Sequence, residues 1–272
     1  DISKLLNFKK VTNKTVVHGL NKVRNEYYND RGGSIVEDNI YSNFRAMVVA
    51  KDGAKIRRAF YRIGKLGGDK VFKKLNPEKI SADVKKKMAN VLKAKSAPAG
   101  RYPIVMDPVL TGVFFHEAVG HGCEADAVLN NDSVMTNKLG TEIAPNFLTL
   151  ADNPKIDDEY GFYNYDSEGV KSRETVLIKD GALNGYLHSR ETASKMNVEL
   201  TGNGRATDAS SFPYPRMSNT VLYPGAYKFE ELFEGIKKGI YAKGSSGGVV
   251  EPNNGNFLFN CQPPKSIVAN TG

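Results

Sequence analysis

The stretch "FRAMVVAKDGAKIRRAFYRI", residues 44–63, joins two segments rich in β-branched and aromatic residues through a short polar turn. Asp52 and Gly53 stand at its centre, and an Asp-Gly pair favours the tight turn between antiparallel strands. Earlier in the chain, "LNKVRNEYY" and "SIVEDNIYS" flank the turn-rich "NDRGG" and predict another pair of strands. The first part of the chain is therefore predicted to form an antiparallel meander.

The pattern changes in "NPEKISADVKKKMANVLKAKSAPAG", residues 76–100. Asn76 suits the N-cap of a helix and Pro77 its first turn. The apolar positions that follow share one helical face: Ile80, Val84, Met88, Val91 and Leu92. This segment predicts an amphipathic helix with its lysines outward. The closing "SAPAG" is a boundary signal, and it predicts a domain over residues 1–97 and a second over residues 98–272.

The second part of the chain mixes strand and helix patterns. "YPIVMDP" predicts a buried strand, after which Asp107 can cap a helix from Leu110 to about Ala127. "ETVLIKDGALNGYLHSR" predicts a hairpin about its Asp-Gly pair, followed by a short helix through Ser194 and Met196. "FEELFEGIKKGIYAK", residues 229–243, predicts an amphipathic helix, and "GNFLFNC" predicts a strand. The fold class is α+β, with antiparallel or mixed sheets.

Composition bounds the class of protein. With 272 residues, of which 40% are hydrophobic, the chain can bury a substantial core. Its two cysteines are too few for a disulfide framework, and no apolar run reaches the roughly 18 residues that span a bilayer. We therefore expect a cytoplasmic protein with no membrane contact. The chain opens without methionine or signal peptide, which indicates a fragment or a processed product.

The net charge of +8 is concentrated in one region. Residues 51–95 contain 15 Lys and Arg against 4 Asp and Glu. Such a region can contact nucleic acid or an acidic partner, or it can be a solvated lysine face. The lysines lack interleaved aromatics and any nucleic-acid motif, so the solvated face is favoured and a nucleic-acid partner is not expected.

"GVFFHEAVGHGCEAD", residues 112–126, places His116 and His121 five positions apart with Glu117 directly after the first. On a regular α-helix, residues five apart are separated by about 140°, so these two imidazoles would not converge on one ion. A single π-type turn restores the overlap, and such turns are frequent at functional sites. Gly120 and Gly122 flank His121, and glycine lowers the cost of irregular backbone. The spacing therefore predicts a bulged helix if the motif binds metal.

The residue types suit zinc chemistry. Neutral imidazole is a good Zn²⁺ ligand, and a catalytic zinc keeps a position open for a water whose pKa falls to about 7. Glu117 could accept that water's proton and pass it to a leaving amine. Two nearby histidines can equally be ordinary core or surface residues, because so short a pattern arises by chance. The otherwise apolar helix favours the metal site, since buried polar groups need partners.

Three other segments have both functional and structural interpretations. "TGNGR", residues 201–205, could hold a substrate carboxylate or simply form a tight turn. His188 could donate to an oxyanion, although a hydrogen-bonded structural histidine is the simpler interpretation. "KGSSGG", residues 243–248, lacks the residue order of a phosphate-binding loop, which argues against a nucleotide site.

The motif and several later segments resemble the TldD/PmbA family of metallopeptidases. The resemblance begins at "FFHEAVGHGCEADAVLNNDSV" and continues through "KLGTEIAPNFLTLADNP", "TGNGRATD", "PRMSNT" and "GIYAKGSSGGVVEPNNGNFLF". It is specific over about residues 101–260 and weaker over residues 1–95. The amino-terminal segment of the family is without a counterpart in this sequence.

The resemblance implies a zinc-dependent peptidase that acts on unstructured peptides. It implies a homodimer, or a heterodimer of a metal-bearing TldD-type subunit with a PmbA/TldE-type subunit. By position, His116 and His121 would bind Zn²⁺ and Glu117 would be the general base. Family members are also described as modulators of DNA gyrase and as proteases of peptide maturation. A non-catalytic regulatory protein that uses residues 51–95 is therefore the alternative.

The third zinc ligand is open at this point. The resemblance implies a cysteine in a segment beyond the last predicted strand, where this chain has no counterpart. Cys261, in "FLFNCQ", is the tentative substitute within the chain, although a buried strand thiol is the simpler interpretation. Cys123 falls on another part of the helix surface from His121, and Glu124 is interpreted as a structural carboxylate or one that supports a ligand.

Overall fold

The computed structural model describes residues 1–30, 32–94 and 99–268, without the side chains of residues 246 and 262–268. The chain divides into two compact units. One unit comprises residues 1–26, 36–98 and 157–160, and the other comprises residues 27–35, 99–156 and 161–272. Their main divide falls at 98/99, next to the predicted boundary. The predicted "SAPAG" boundary lies largely outside the described residues.

The first unit contains a three-stranded sheet and its covering helices. The strands are β1 (Val11–Tyr28), β2 (Ser34–Asp52) and β3 (Lys55–Leu66), in the order β1-β2-β3. β2 and β3 pair antiparallel from Tyr41↔Leu66 to Asp52↔Lys55, about the turn at Gly53. The predicted meander is therefore confirmed, although the two central predicted strands form the single strand β2.

The described residues of this unit also form the helices α1 (Ile2–Leu5), α2 (Asp69–Lys73) and α3 (Pro77–Lys93). The Lys79 amide donates to Asn76 Oδ1 at 2.7 Å, which confirms the predicted cap. The apolar face of α3 packs onto the inward residues of β2 and β3, and the core cluster includes Phe44, Ala46, Val48, Ala59, Ile80, Val84 and Met88. Four lysines of α3 are exposed, whereas Lys87 is partly buried and donates to the Phe60 carbonyl of β3 at 3.3 Å.

The second unit contains the remaining sheets. One is four-stranded, with the order β10-β5-β6-β7, from β5 (Leu150–Asp152), β6 (Thr175–Lys179), β7 (Ala182–Leu183) and β10 (Thr220–Leu222). A second has the order β12-β11-β4, from β4 (Ile104–Met106), β11 (Lys238–Glu251) and β12 (Asn256–Val268). A two-stranded ladder joins β8 (Gly204–Arg205) to β9 (Tyr214–Pro215). β11 pairs antiparallel with β12 and parallel with β4.

The helices of this unit are short: α4 (Pro108–Phe115), α5 (Ala125–Leu129) and α6 (Arg190–Met196). The hairpin of β6 and β7 turns at Asp180 and Gly181, both at positive φ, as the Asp-Gly pair predicts. Ser189 and Thr192 form a capping box at the start of α6. The α+β class with antiparallel and mixed sheets is confirmed.

Two element predictions are wrong. Residues 229–243 do not form a helix: a 3₁₀ turn covers Glu230–Phe233, Gly235 lies at φ 75°, and the chain then enters β11. Pairing with β4 and β12 outweighs the local helical pattern there. The predicted helix from Leu110 to Ala127 is also interrupted, at Glu124. No helix in the described part of the chain is long and apolar enough to cross a membrane.

Candidate metal centre

The helix that carries the motif is fixed at its start by Asp107. One carboxylate oxygen accepts from the Leu110 amide at 2.9 Å, and the other accepts from the Gly244 amide of β11 at 2.9 Å. Pro108 occupies the first turn, where its missing N–H costs nothing. The same side chain therefore caps α4 and holds the edge of β11 beside it.

The backbone changes from α to π at His116. Residues His116–Gly120 form a π turn, and the His121 amide donates to the His116 carbonyl five residues earlier. The ring centroids of His116 and His121 are 4.9 Å apart, with an 80° angle between the ring planes. The predicted bulge is confirmed, because a regular helix would direct these rings about 140° apart.

The two glycines serve packing rather than unusual backbone conformation, which corrects the sequence-based reason for them. Gly120 has φ −55° and ψ −54°, values that any residue adopts in a helix. A Cβ at Gly120 would lie 2.0 Å from Met217 Sδ, and one at Gly122 would lie 3.1 Å from Met135 Cγ. Glycine is favoured at these positions because buried methionines approach the backbone of the π turn at Gly120 and of the following 3₁₀ turn at Gly122.

The helix ends at Glu124 because the chain pairs with another segment. After the 3₁₀ turn His121–Cys123, Glu124 has an extended backbone, with ψ 116°. The Ala125 amide donates to the Leu187 carbonyl at 3.0 Å, and the Leu187 amide donates to the Cys123 carbonyl at 2.8 Å. Cys123 and Leu187 are fully buried in the core. This bridge redirects Glu124 back towards His121.

Each histidine has a partner at Nδ1. His121 Nδ1 lies 3.2 Å from Glu124 Oε2, and His116 Nδ1 lies 3.4 Å from Thr220 Oγ1. The hydrogen bond to Glu124 raises the pKa of His121, because the carboxylate stabilises the imidazolium. Burial, followed by the neighbouring His121, lowers the pKa of His116. Glu124 therefore supports a candidate ligand, as one of the sequence interpretations holds.

Glu117 lies between the histidines and β11. Its Oε2 is 3.9 Å from His121 Nε2, and its side chain is 14% exposed. A Cβ at Gly248 would lie 2.8 Å from Glu117 Cγ and 3.0 Å from its Oε1. The carboxylate of Glu117 can therefore lie here only because residue 248 has no side chain. The sequence interpretation of residues 243–248 considered only nucleotide binding and missed this contact.

The other candidate residues do not join the histidines. Arg205 donates to the Met217 carbonyl at 2.7 Å and lies over the Tyr163 ring, while Asn203 donates to buried Asp152. These contacts favour the structural interpretation of residues 201–205. His188 is 5% exposed, contacts Thr192 Oγ1 at 3.3 Å, and has its pKa lowered to about 4 by burial. It is a buried structural histidine.

The residues present fit two ligands of a catalytic zinc. With Nδ1 occupied, each imidazole has Nε2 left for a metal, and the carboxylate of Glu117 stands beside them. Cys261 lies on β12, where burial raises its pKa, and it does not complete a ligand set. Among residues 1–30, 32–94 and 99–268, no group of three or more His, Cys, Asp or Glu could hold a metal ion.

Two imidazoles that face each other on a bulged helix, with a carboxylate beside them, are residue types that a hydrolytic zinc site uses as ligands and general base. Comparison with known proteins gives the same class. Residues 99–269 match the family model described as the PmbA/TldA metallopeptidase C-terminal domain. The chain belongs to the PmbA/TldD family of metallopeptidases.

Two relatives and one solved structure illustrate the similarity. A metalloprotease of Methanocaldococcus jannaschii is 46% identical over 78% of this chain and 46% of its own length. A zinc metalloprotease TldD homolog of Saccharolobus solfataricus is 33% identical over 87% of this chain and 53% of its own length. The chain thus spans about half the length of these relatives. The crystal structure of TldE from Thermococcus kodakarensis shares the fold, with a TM-score of 0.77 and 21% identity over 93% of this chain and 57% of that one.

Proposed function

We propose that this chain carries the metal-binding part of a zinc-dependent peptidase that hydrolyses unstructured peptides. The convergence of His116 and His121 on the π turn, with Glu117 beside them, is the observation that carries this proposal. A relative described as a zinc metalloprotease supports the choice of metal. Imidazole ligands also suit zinc among the common transition metals.

His116 and His121 would hold the ion through Nε2. Bound zinc would polarise the scissile carbonyl and make a nearby water more acidic. Glu117 accepts the proton of the attacking water on a carboxylate oxygen and returns it to the nitrogen of the leaving amine.

The proposed substrate is an extended peptide. Gly248 of β11 lies against Glu117. In the described part of the chain β4 pairs with β11 only at residues 240–242, so beyond them the same side of β11 can bind a second extended backbone. A folded protein does not offer such a backbone. We also propose that the active protein is a homodimer, or a heterodimer with a PmbA/TldE-type subunit, because the family works in such pairs.

Replacing Glu117 by Gln tests the catalytic role. The variant should bind zinc as the parent does, because Glu117 is not a proposed ligand, and should lose at least about 100-fold in hydrolysis of an unfolded peptide. Hydrolysis is followed with a fluorogenic peptide, and zinc content by elemental analysis. Glu191→Gln, on the exposed face of α6, is the matched control and should keep full activity. Equal hydrolysis by Glu117→Gln and its parent would reject the proposal.

The alternative of a nucleic-acid-binding regulator has less support from the structure. The basic residues lie on β3 and on α3, and α3 is an amphipathic helix whose apolar face is buried. Two of them form ion pairs: Lys87 with Asp83, and Lys65 with Glu159. Such an arrangement is typical of a solvated face. The alternative stays an untested hypothesis.

A further inference from the structure

The histidines of the π turn are held by a segment about 100 residues away. Residues 216–220, "RMSNT", contact the π turn and its continuation at three points. Arg216 reaches Glu124, Met217 fills the space over Gly120, and Thr220 reaches His116. We call this segment the positioning segment. We propose that it fixes both imidazoles in the tautomer that carries hydrogen on Nδ1, so that Nε2 of each is left for the metal; the metal in this proposal rests on the proposed function.

His121 is fixed through Glu124. A carboxylate only accepts hydrogen bonds, so the contact of 3.2 Å between Glu124 Oε2 and His121 Nδ1 requires hydrogen on Nδ1. The Glu124 side chain is 9% exposed, and Arg216 Nη1 lies 3.4 Å from the same Oε2. Arg216 also pairs with Asp126 at 3.3 Å, and its guanidinium lies over the Tyr214 ring. The carboxylate of Glu124 is therefore held in place beside His121.

His116 is fixed through Thr220. The Thr220 hydroxyl lies 3.5 Å from Met217 Sδ, to which it can donate, and 3.4 Å from His116 Nδ1. A hydroxyl has one hydrogen, so a hydroxyl that donates to sulfur accepts from Nδ1–H. Met217 is buried, and it lies against Gly120 at the end of the π turn. Met217 therefore has two roles: its packing favours glycine at position 120, and its sulfur orients the hydroxyl of Thr220.

The positioning segment is anchored on the side away from the histidines. Asp152 accepts from the Ser218 amide at 2.7 Å and from its hydroxyl at 2.8 Å. Asp152 is fully buried and also accepts from Asn203 at 2.8 Å. β10 continues directly from the segment and pairs with β5. A segment held at this depth is rigid enough to orient two rings, as the outer hydrogen bonds of metal-binding histidines do.

The tautomers can be read in the metal-free protein. Long-range ¹H–¹⁵N spectra of the imidazoles, recorded at alkaline pH where both rings are neutral, should show Nδ1–H for His116 and His121. Glu124→Leu, which removes the hydrogen-bond acceptor at a similar side-chain size, should shift His121 towards the other tautomer and leave His116 unchanged. Thr220→Val should shift His116 towards the other tautomer and leave His121 unchanged. Thr220→Ser keeps the hydroxyl and should show the same tautomers as the parent. Glu191→Gln, on α6, whose carboxylate pairs with Lys195, should change neither tautomer.

Zinc affinity gives the second measurement. Competition with a chromophoric chelator, with Zn²⁺ as the only metal, should show about 10–100-fold weaker binding in Glu124→Leu and in Thr220→Val. Nε2–H tautomers in the parent, or unchanged tautomers in both variants, would overturn the proposal. A different outcome is that the parent shows the expected tautomers but hydrolyses no peptide. That result would reject the proposed function and leave the positioning role intact.

Discussion

At the scale of single residues, one or two contacts orient each side chain of the site. His116 and His121 each have one ring nitrogen occupied, and Glu117 fits where Gly248 has no side chain. The sequence indicated the two histidines and the glutamate because they are neighbours along the chain. Thr220, Arg216 and Gly248 could not be found in this way, because no local spacing relates them to the motif.

His188 predicts a dependence of stability on pH. Its folded-state pKa of about 4 lies below the ordinary value of 6.5, so the unfolded chain binds more protons between these values. Stability is therefore full above about pH 6.5 and falls as the pH drops towards 4. Acidification from pH 7 to pH 5 should lower the free energy of unfolding by on the order of 1–2 kcal/mol through this group, because a tenfold change in a protonation equilibrium corresponds to about 1.4 kcal/mol.

The measurement compares urea unfolding of the parent and of His188→Gln at pH 7 and at pH 5. Burial raises the pKa of Asp152 to about 6, which makes its own contribution change in the opposite direction. Asp152 is present in both proteins, so the difference between them isolates His188. The variant should lose less stability on acidification than the parent. An identical loss in both would show that His188 is charged in the folded protein.

At the scale of elements, the π turn is the decisive feature. Its register was predictable, because two histidines five apart converge only when one residue is added to the helical turn. The helix caps and the Asp-Gly hairpins were predictable for the same reason, since each depends on adjacent residues. The break at Glu124 and the strand at residues 238–243 depend on pairing with Leu187, β4 and β12. Long-range pairing of this kind leaves no local pattern.

Replacing Gly120 by Ala tests the packing of the π turn. The new methyl group would occupy the position of Met217 Sδ, and overpacking a buried site costs about 1–3 kcal/mol. The gain in helix propensity, roughly 1 kcal/mol, offsets only part of this cost. We expect a net loss of up to about 2 kcal/mol in the free energy of unfolding, measured by urea denaturation.

Gly112→Ala, in α4, is the matched control. Its added methyl group would meet no atom within 4 Å, so the variant should be neutral or more stable by up to about 1 kcal/mol. Equal stability of Gly120→Ala and Gly112→Ala would show that Met217 moves freely. Close packing against Met217 would then not be the reason for glycine at position 120.

At the scale of the whole molecule, the fold brings three separate parts of the second unit to one site. The capped helix α4 leads into the π turn, β11 lies beside Glu117, and the positioning segment reaches both histidines. The α+β class and the family followed from the sequence. The metallopeptidase centre itself depends on the claim that both imidazoles bind one ion.

Zinc content of single histidine variants tests that claim most directly. The protein expressed from its full coding sequence, as the parent, His116→Ala and His121→Ala, is saturated with Zn²⁺, freed of excess metal and measured by elemental analysis. His18→Ala is the control, because His18 lies against Phe72 in the first unit. We predict about one zinc per chain in the parent and the control, and loss of that zinc in either motif variant. Undiminished zinc in both motif variants would contradict the account.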